Sequence, residues 1–376
     1  MKQTASCLQA REERIAKLRE TEVTPAAFDK GFDVEIAHSI KDIGRDAWDH
    51  LSQDRPFASY RWYRFGETVL ADNVPFYIIL SHHGEPVARG TFWLRSREQL
   101  SISSMVVRYL IETLLRHRPL LVCRAPLVDS SGLILPEEQA LREAALKIVS
   151  RVAQEQAQQF WASFLLFDYL GEEETQYAGW PETFLPTTIS DPGTYMAIAW
   201  RDFDSYLRHL SRKGRKHYRQ HCRQAAELGI EVTLQPEVTD MDRTIRLTRN
   251  VEKKHRSAPY PWTEGLLENA DMVDATWITA RIGGRLVGSE LVMNDAGVYC
   301  VKALGLDYSV PFVYFMLGYA DIRYAIEQGA RILRWGSGAS DAKRRLGFQF
   351  EDNNYVVFSG SGPLFQRIGR WTARLA

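Results

Sequence analysis

The chain has 376 residues, 45% of them hydrophobic and 25% charged, with 47 basic residues against 47 acidic ones. That length suits two cores better than one, and the even charge excludes a global pull toward nucleic acid or an anionic bilayer, leaving phosphate affinity to local clusters. Scattered Cys7, Cys123, Cys222 and Cys300 exclude a C-x-x-C zinc site or a disulfide framework, and no apolar run approaches the roughly 20 residues of a membrane span.

The opening, MKQTASCLQAREERIAKLRETE, is charged where a signal peptide is apolar. Residues 1–30 are expected to form a poorly ordered extension of a cytoplasmic protein. From Asp33, FDVEIAHSI alternates as a strand and GRDAWDHLSQ reads as a short amphipathic helix. PFYIILSHHGEPVARGTFWLRS gives two strands around a turn at His83-Gly84-Glu85. PLLVCRAPLVDSSGLIL adds a strand and a loop. PEEQALREAALKIVSRVAQEQA is a long helix with Pro and acids in its first turn, and ASFLLFDYL is a buried strand.

A similar rhythm starts again at Thr194. The strand TYMAIAW precedes two helices, DFDSYLRHL and SRKGRKHYRQHCRQAAELG, then the strand IEVTLQ and the helix MDRTIRLTRNVEKKHR. WITARIGGRLVGSELVMNDAGVYCVKALGLD reads as three adjacent strands turning at Gly283-Gly284 and Asn294-Asp295. The helix PFVYFMLGYADIRYAIEQ, the strand ARILRWG and the loop SGASDAKRRLGF follow. The expected organisation is α/β (α+β): two mixed-sheet domains in tandem, over 31–192 and 193–360, with an amphipathic helix over 361–376. In that last segment Leu364, Ile368, Trp371 and Leu375 oppose Arg367, Arg370 and Arg374. Packing on the core or a partner is the expected use of that helix, and contact with a membrane surface is the other.

P-loop, zincin, nucleophile-elbow and dinucleotide motifs are missing, and no metal site is expected. Three features remain. No acid occurs from Ser205 to Ala226, and Arg212, Lys216, Arg219 and Arg223 fall at i, i+4, i+7 and i+11 on one helix face, opposite Tyr218, Cys222 and Ala225. Lys213 and Arg215 add charge near its start. Such a stripe is either a solvated face or a seat for a polyanion. Ser309 and Pro311 suit a helix start, which is either that of an ordinary capped core helix or a seat where free N–H groups hold phosphate. Gly336-Ser337-Gly338, followed by Lys343, Arg344 and Arg345, is either a plain turn or an anion clamp.

Over roughly Asp202 to Phe358 the pieces LSRKGRKHYRQHCRQAAELGIEV, ARIGGRLVGSELVMNDAGVYCVKALGLDYS, AIEQGARILRWGSG and DAKRRLGF resemble, in order and spacing, the GNAT-type acyltransferase domain of bacterial Fem-like proteins. The first half is more loosely similar to the opening of such chains. The resemblance implies two GNAT-like domains and an amine attacking an activated carbonyl, with aminoacyl-tRNA or acyl-CoA as cosubstrate and no bound cofactor. The acceptor would be a small-molecule or nucleotide-linked amine. By position, the strand from Tyr299 to Gly305 would hold the donor and stabilise the oxyanion. Ser309 would open the donor-phosphate helix, Lys343 would face phosphate or the donor carbonyl, and Arg212, Arg215 and Arg219 match the family's basic helix. Gly336, Gly338 and Arg344 complete the expected donor site. Glu290 and Asp307 are candidate bases and Tyr308 a candidate proton donor to the leaving group, although alternation could point Glu290 at solvent. The Q/R-x-x-G-x-G/A loop of ordinary GNAT enzymes is absent before Pro311. The other readings are a CoA-dependent N-acetyltransferase acting on a sugar or small amine, and a non-catalytic carrier- or nucleic-acid-binding module.

Overall fold

The computed structural model describes residues 31–98, 109, 113–188, 192–255 and 257–373. The expected extension over 1–30 lies outside the described residues. In chain order the first elements are β1 (Phe32–Ala37), α1 (Arg45–Ser52), α2 (Tyr60–Val69), β2 (Val74–His82), β3 (Glu85–Arg95), β4 (Leu120–Cys123), β5 (Leu133–Ile134), α3 (Gln139–Gln159), β6 (Phe164–Leu170) and β7 (Leu185–Thr188). Next come β8 (Thr194–Ala197), α4 (Phe203–His209), α5 (Arg212–Glu227), β9 (Ile230–Gln235), α6 (Met241–Lys254), α7 (Thr263–Glu268), β10 (Asp274–Ile282), β11 (Arg285–Asp295) and β12 (Val298–Leu306). The chain continues through α8 (Val313–Glu327), β13 (Ile332–Trp335), α9 (Ser340–Leu346), β14 (Gln349–Phe350), β15 (Tyr355–Gly360) and α10 (Pro363–Ala373).

These strands make two sheets. The first runs β1-β2-β3-β4-β6-β15-β7 with β5 beside β3, and the second runs β14-β8-β13-β12-β11-β10-β9. Each contains a single parallel pair, β4 with β6 and β12 with β13, in an otherwise antiparallel ladder. Superposing the sheets on that pair puts β15 and β8 in the same place, next to the second parallel strand and inside the edge strand. The sequence order hides this. Residues 355–360, expected in the second unit, instead return to the first sheet, where β15 pairs with both β6 and β7. Local alternation marks YVVFSG as a strand but cannot say which sheet it completes.

The two lobes share one apolar core. Trp48, Phe57, Trp62 and Phe65 of the first pack with Leu247, Trp277, Leu291, Met293 and Cys300 of the second. Hydrogen bonds fix the registration: Asp295 accepts from Phe57 N at 2.5 Å and Ser59 Oγ at 3.0 Å. The other face of the second sheet carries α8, with Leu317 and Ile322 among its fully buried residues. One turn differs from expectation. The chain reverses at Ala296-Gly297, both at positive φ, because Asn294 Oδ1 accepts from Gly297 N and draws the turn two residues on.

Candidate functional site: a split sheet and a nearby hollow

The parallel pair β12/β13 runs from Val298↔Ile332 to Val301↔Trp335 and then parts, Lys302 following on one side and Gly336 on the other. At the same point β12 bulges. Ser289 pairs with Gly305 and Leu291 with Lys302, so Ala303 and Leu304 stand opposite Glu290 alone, with Ala303 at φ +51. From Lys302 to Leu306 the β12 edge that faces away from β11 has no strand partner among the described residues. Helix α6 braces it from behind: Thr248 Oγ1 donates to Ala303 O at 3.2 Å and Asn250 Nδ2 to Leu306 O at 3.3 Å. Gly305 is required here, since a Cβ would meet Leu247 Cβ at 2.7 Å. An open, bulged strand edge offers backbone donors to a carbonyl oxygen.

One mouth of the split lies between the lobes. The half-buried Asp129, from the loop after β4, reaches within 3.5 Å of where a Cβ on Gly336 would be. Burial opposes its charge, but Lys302, Arg334, Arg124 and the Tyr169 hydroxyl together hold the carboxyl below its usual range. The loop is clamped by Arg334, which donates to Asp129 O and Ser130 Oγ at 2.6 Å each and to both oxygens of Glu351 at 2.6 Å. Asn353 Nδ2 adds a bond of 2.8 Å to Asp129 O. Tyr260 completes this wall. Burial, then Asp129 and Glu252, push its hydroxyl up to about 12, so it stays a neutral donor at physiological pH.

A separate hollow lies on the α8 side of the same sheet. A cavity of about 250 Å³ is lined by Gly214, His217 and His221 of α5, Phe315 and Tyr319 of α8, and Arg345 of α9, among others. His221 stacks on Phe315 with ring centroids 4.3 Å apart and faces His217 at 6.0 Å. Its Nδ1 lies 3.1 Å from Tyr319 Oη. Burial, and then His217, lower the His221 pKa. The exposed cations Arg212, Lys216 and Arg219 lie on the same helix. An aromatic, imidazole-lined hollow beside a cationic helix suits a planar base with phosphates attached.

The expected site residues divide. Arg212 and Arg219 are exposed on α5 as expected. Arg215 is not available: Nη1 donates to Arg208 O at 3.0 Å and Leu210 O at 2.5 Å, closing the end of α4. The stripe is also not wholly uncompensated, since Arg223 lies 3.8 Å from Glu227. Lys343 corrects the anion-clamp reading. It is 5% exposed, and its ammonium donates to Trp335 O, Gly336 O and Ser337 O at 3.4, 2.5 and 3.2 Å. The Gly336–Gly338 loop therefore turns its carbonyls toward a lysine of its own chain. Arg344 pairs with Asp341 at 2.6 Å. Gly336 alone of that loop borders the split.

Glu290 faces neither solvent nor the inter-lobe mouth. It is 2% exposed under α8 beside the fully buried Asp321. Burial pushes Glu290 up to about 8, and burial with Glu290 drives Asp321 well above the carboxylate range. Two carboxyls that face each other in a core need a proton between them. Asp307 is a poor base for the opposite reason. Ser309 donates to it from Oγ at 2.6 Å and from N at 3.2 Å, and Arg243 and Arg285 pair with it at 3.2 Å each, lowering its pKa. Ser309 thus serves Asp307 and not the helix; the residue before α8 is Phe312 at φ +69, with no side-chain cap. Tyr308 is exposed, with the Lys254 ammonium 5.6 Å from its ring centroid. Tyr299 is buried against Tyr324, edge to face, so only its backbone serves the strand. Asp129, Lys302, Arg334, Tyr260, His217 and His221 were not foreseen as a site, whereas Arg345 was, as part of the anion clamp. The unforeseen residues come from five separate places in the chain, and an isolated Asp in VDSSG carries no local mark.

Two fused mixed sheets, each built around one parallel pair, are the architecture of tandem GNAT proteins. The solved structures similar to this chain agree. A tandem GNAT protein from the clavulanic acid biosynthesis pathway, without acetyl-CoA, matches at TM-score 0.54 and 12% identity, covering 88% of this chain and 99% of its own. FemX matches at TM-score 0.58 and 12% identity, covering 89% and 99%. The family model FemAB-like, peptidoglycan biosynthesis/recognition, matches residues 39–374, and the chain belongs to that family. No protein of curated function matches the sequence. No helix among the described residues is long and apolar enough to cross a membrane.

Proposed function

We propose that the chain transfers an aminoacyl or acyl group to an amine, with the donor entering from the α8 side and the acceptor from between the lobes. The observation that carries this is the split in the second sheet, bulged and open, with the Asp129 wall at its inter-lobe mouth and, on the α8 side of the same sheet, an aromatic and cationic hollow. The donor carbonyl would rest on the free β12 edge. The amine nitrogen would form the new C–N bond while the C–O bond to a ribose, or the C–S bond of a thioester, breaks. The leaving oxygen or sulfur takes up a proton as the attacking nitrogen gives one up. Asp129 would orient the amine, which attacks as the free base after its ammonium has given one proton to solvent, and the proton shed by nitrogen after attack would pass to the leaving oxygen or sulfur. The β12 N–H groups would take the oxyanion charge.

Aminoacyl-tRNA is favoured over acyl-CoA as donor by two features. The exposed cations run from Arg212 to Arg219 and on to Arg223, about 16 Å of helix, which is more than one pyrophosphate needs. The corner before α8 presents the Asp307 carboxylate where ordinary GNAT enzymes offer glycine N–H groups. The test is a transfer assay with labelled aminoacyl-tRNAs and acyl-CoAs in parallel against a panel of amines, beside a thermal-shift screen in which a donor at a hundredfold its Kd stabilises by about 2.7 kcal/mol. Transfer from acyl-CoA alone would reverse the choice of donor. Absence of binding and transfer with every donor would leave the fold as a non-catalytic module.

A further inference from the structure

Helix α10 leaves an apolar stripe facing outward. It docks on the first sheet through Phe365, buried edge to face against Phe164 at 5.4 Å, and through Gly369. A Cβ at Gly369 would meet the Phe358 ring at 3.0 Å, so the helix lies close to β15 along that side. The stripe expected to pack is not the one that does. Leu364, Ile368 and Trp371, at i, i+4 and i+7, are 65%, 38% and 64% exposed. Trp161 adds a second outward indole at 59%, with the Arg118 guanidinium 4.9 Å from its ring centroid and 5.8 Å from that of Phe365. Trp161, Arg118 and α10 therefore form one patch.

The charges that the patch itself carries have one sign. Arg367 and Arg370 are exposed next to the stripe on α10, Arg118 flanks Trp161, and the sequence holds no Asp or Glu after Asp352. In a chain with equal numbers of acids and bases, an acid-free end built around outward Leu, Ile and Trp is a local departure with a physical use. Indole rings favour the headgroup level of a bilayer. Arginines beside them meet anionic headgroups. A helix with one apolar face and one cationic flank lies in that interface without crossing it. We infer that the α10 patch docks this protein on the surface of an anionic phospholipid bilayer, with Leu364, Ile368, Trp371 and Trp161 inserted and Arg118, Arg367 and Arg370 on headgroups. This inference stands apart from the transfer chemistry, because the patch shares no residue with the split, its inter-lobe mouth or the hollow on the α8 side.

The test uses the full chain and sedimentation with phosphatidylcholine vesicles, with and without about one-third phosphatidylglycerol. Binding is expected to the anionic vesicles only and to weaken with salt. Ile368→Glu/Trp371→Glu should lower partitioning at least about tenfold while leaving the melting curve of the protein alone unchanged. Arg367→Gln/Arg370→Gln should weaken binding and flatten its salt dependence, and it decides the matter if the apolar variant does not fold. Failure of the wild type to bind anionic vesicles, equal binding to neutral ones, or unchanged binding by a folded variant would each overturn the inference. So would sedimentation equilibrium showing a dimer that Trp371→Glu dissociates, without vesicle binding, because the stripe would then be a contact between copies.

Discussion

The two lobes are built alike and end their parallel pairs differently. In the first, Cys123↔Phe167 is the last pair, and the next residues, Arg124 and Asp168, form an ion pair across the gap. Glu98 reinforces it, bonded to Arg124 at 3.2 Å and to Arg95 at 2.9 Å. In the second lobe Val301↔Trp335 is the last pair and the next residues are Lys302 and Gly336. Glycine leaves the gap empty, and the Lys302 charge is met by Asp129, supplied by the first lobe. The same frame thus gives a locked seam in one lobe and an open one in the other, and the locked lobe lends its loop to the open one.

This contrast breaks most sharply at Arg124. Arg124→Met leaves Asp168 buried without its partner and should cost about 3–5 kcal/mol in urea unfolding. Arg124→Met/Asp168→Leu should recover most of that loss and keep the kinetic constants of any transfer activity. A folded Arg124→Met that is as stable as wild type would show that the seam is not locked by this pair. In the second lobe the order should reverse. Lys302→Met and Asp129→Asn should each stay within about 1 kcal/mol of wild type in stability while kcat/KM falls about a hundredfold, or about 2.7 kcal/mol. Full activity in both would remove the inter-lobe mouth from the reaction.

The lobes themselves were legible because strand alternation, hairpin turns and helix starts are local signals, and they recur in the same order in both halves. The crossover of β15 was not, since partner choice depends on edges that form far away in sequence. The basic helix was legible as a stripe, yet the same letters concealed that Arg215 turns back to cap α4. The Lys343 loop misled for a related reason: glycines beside cations look like an anion seat until the lysine is seen to bind the loop's own carbonyls. Asp129 and Lys302 are single residues on opposite lobes, and only the docking of one sheet face on the other brings them together.

A smaller difference lies one strand further in. Counting back two residues from Val292 and Phe92, which pair with the last strand residues Val301 and Cys123, gives Glu290 in one lobe and Gly90 in the other. A Cβ on Gly90 would meet Val149 of α3 at 3.0 Å, whereas Glu290 meets Asp321 of α8. The unfolded carboxyl of Glu290 loses its proton near its ordinary value of 4.5, and the folded one near 8. Stability should therefore fall as pH rises between those values, by up to about 1.4 kcal/mol per unit for each proton retained, and level off above. Glu290→Gln keeps a donor for Asp321 and should reduce that slope by about one proton, measured by urea unfolding between about pH 5.5 and 7.5. Parallel slopes in wild type and variant would show that Glu290 is already ionised in the folded protein.

The weakest expected effect tests whether α5 belongs to the open seam at all. The first lobe's long helix, α3, mixes signs along its length, with Arg142, Glu143, Lys147, Arg151 and Glu155; α5 offers Arg212, Lys216 and Arg219 outward with no acid before Glu227. Exposed cations of this kind attract a polyanion equally in the ground state and in the transition state. Arg212→Gln/Lys216→Gln/Arg219→Gln should then raise KM for the donor by about three- to tenfold at low ionic strength, leave kcat alone, and lose its effect near 1 M salt, where the screening length is about 3 Å. Arg215 is the internal control, because its guanidinium is spent on Arg208 O and Leu210 O. Arg215→Gln should lower stability by about 1 kcal/mol without a salt-dependent change in KM. If the triple variant and Arg215→Gln behave alike, the stripe is a solvated face, and the hollow between His217, Phe315 and Arg345 must hold the donor without help from the rest of its helix.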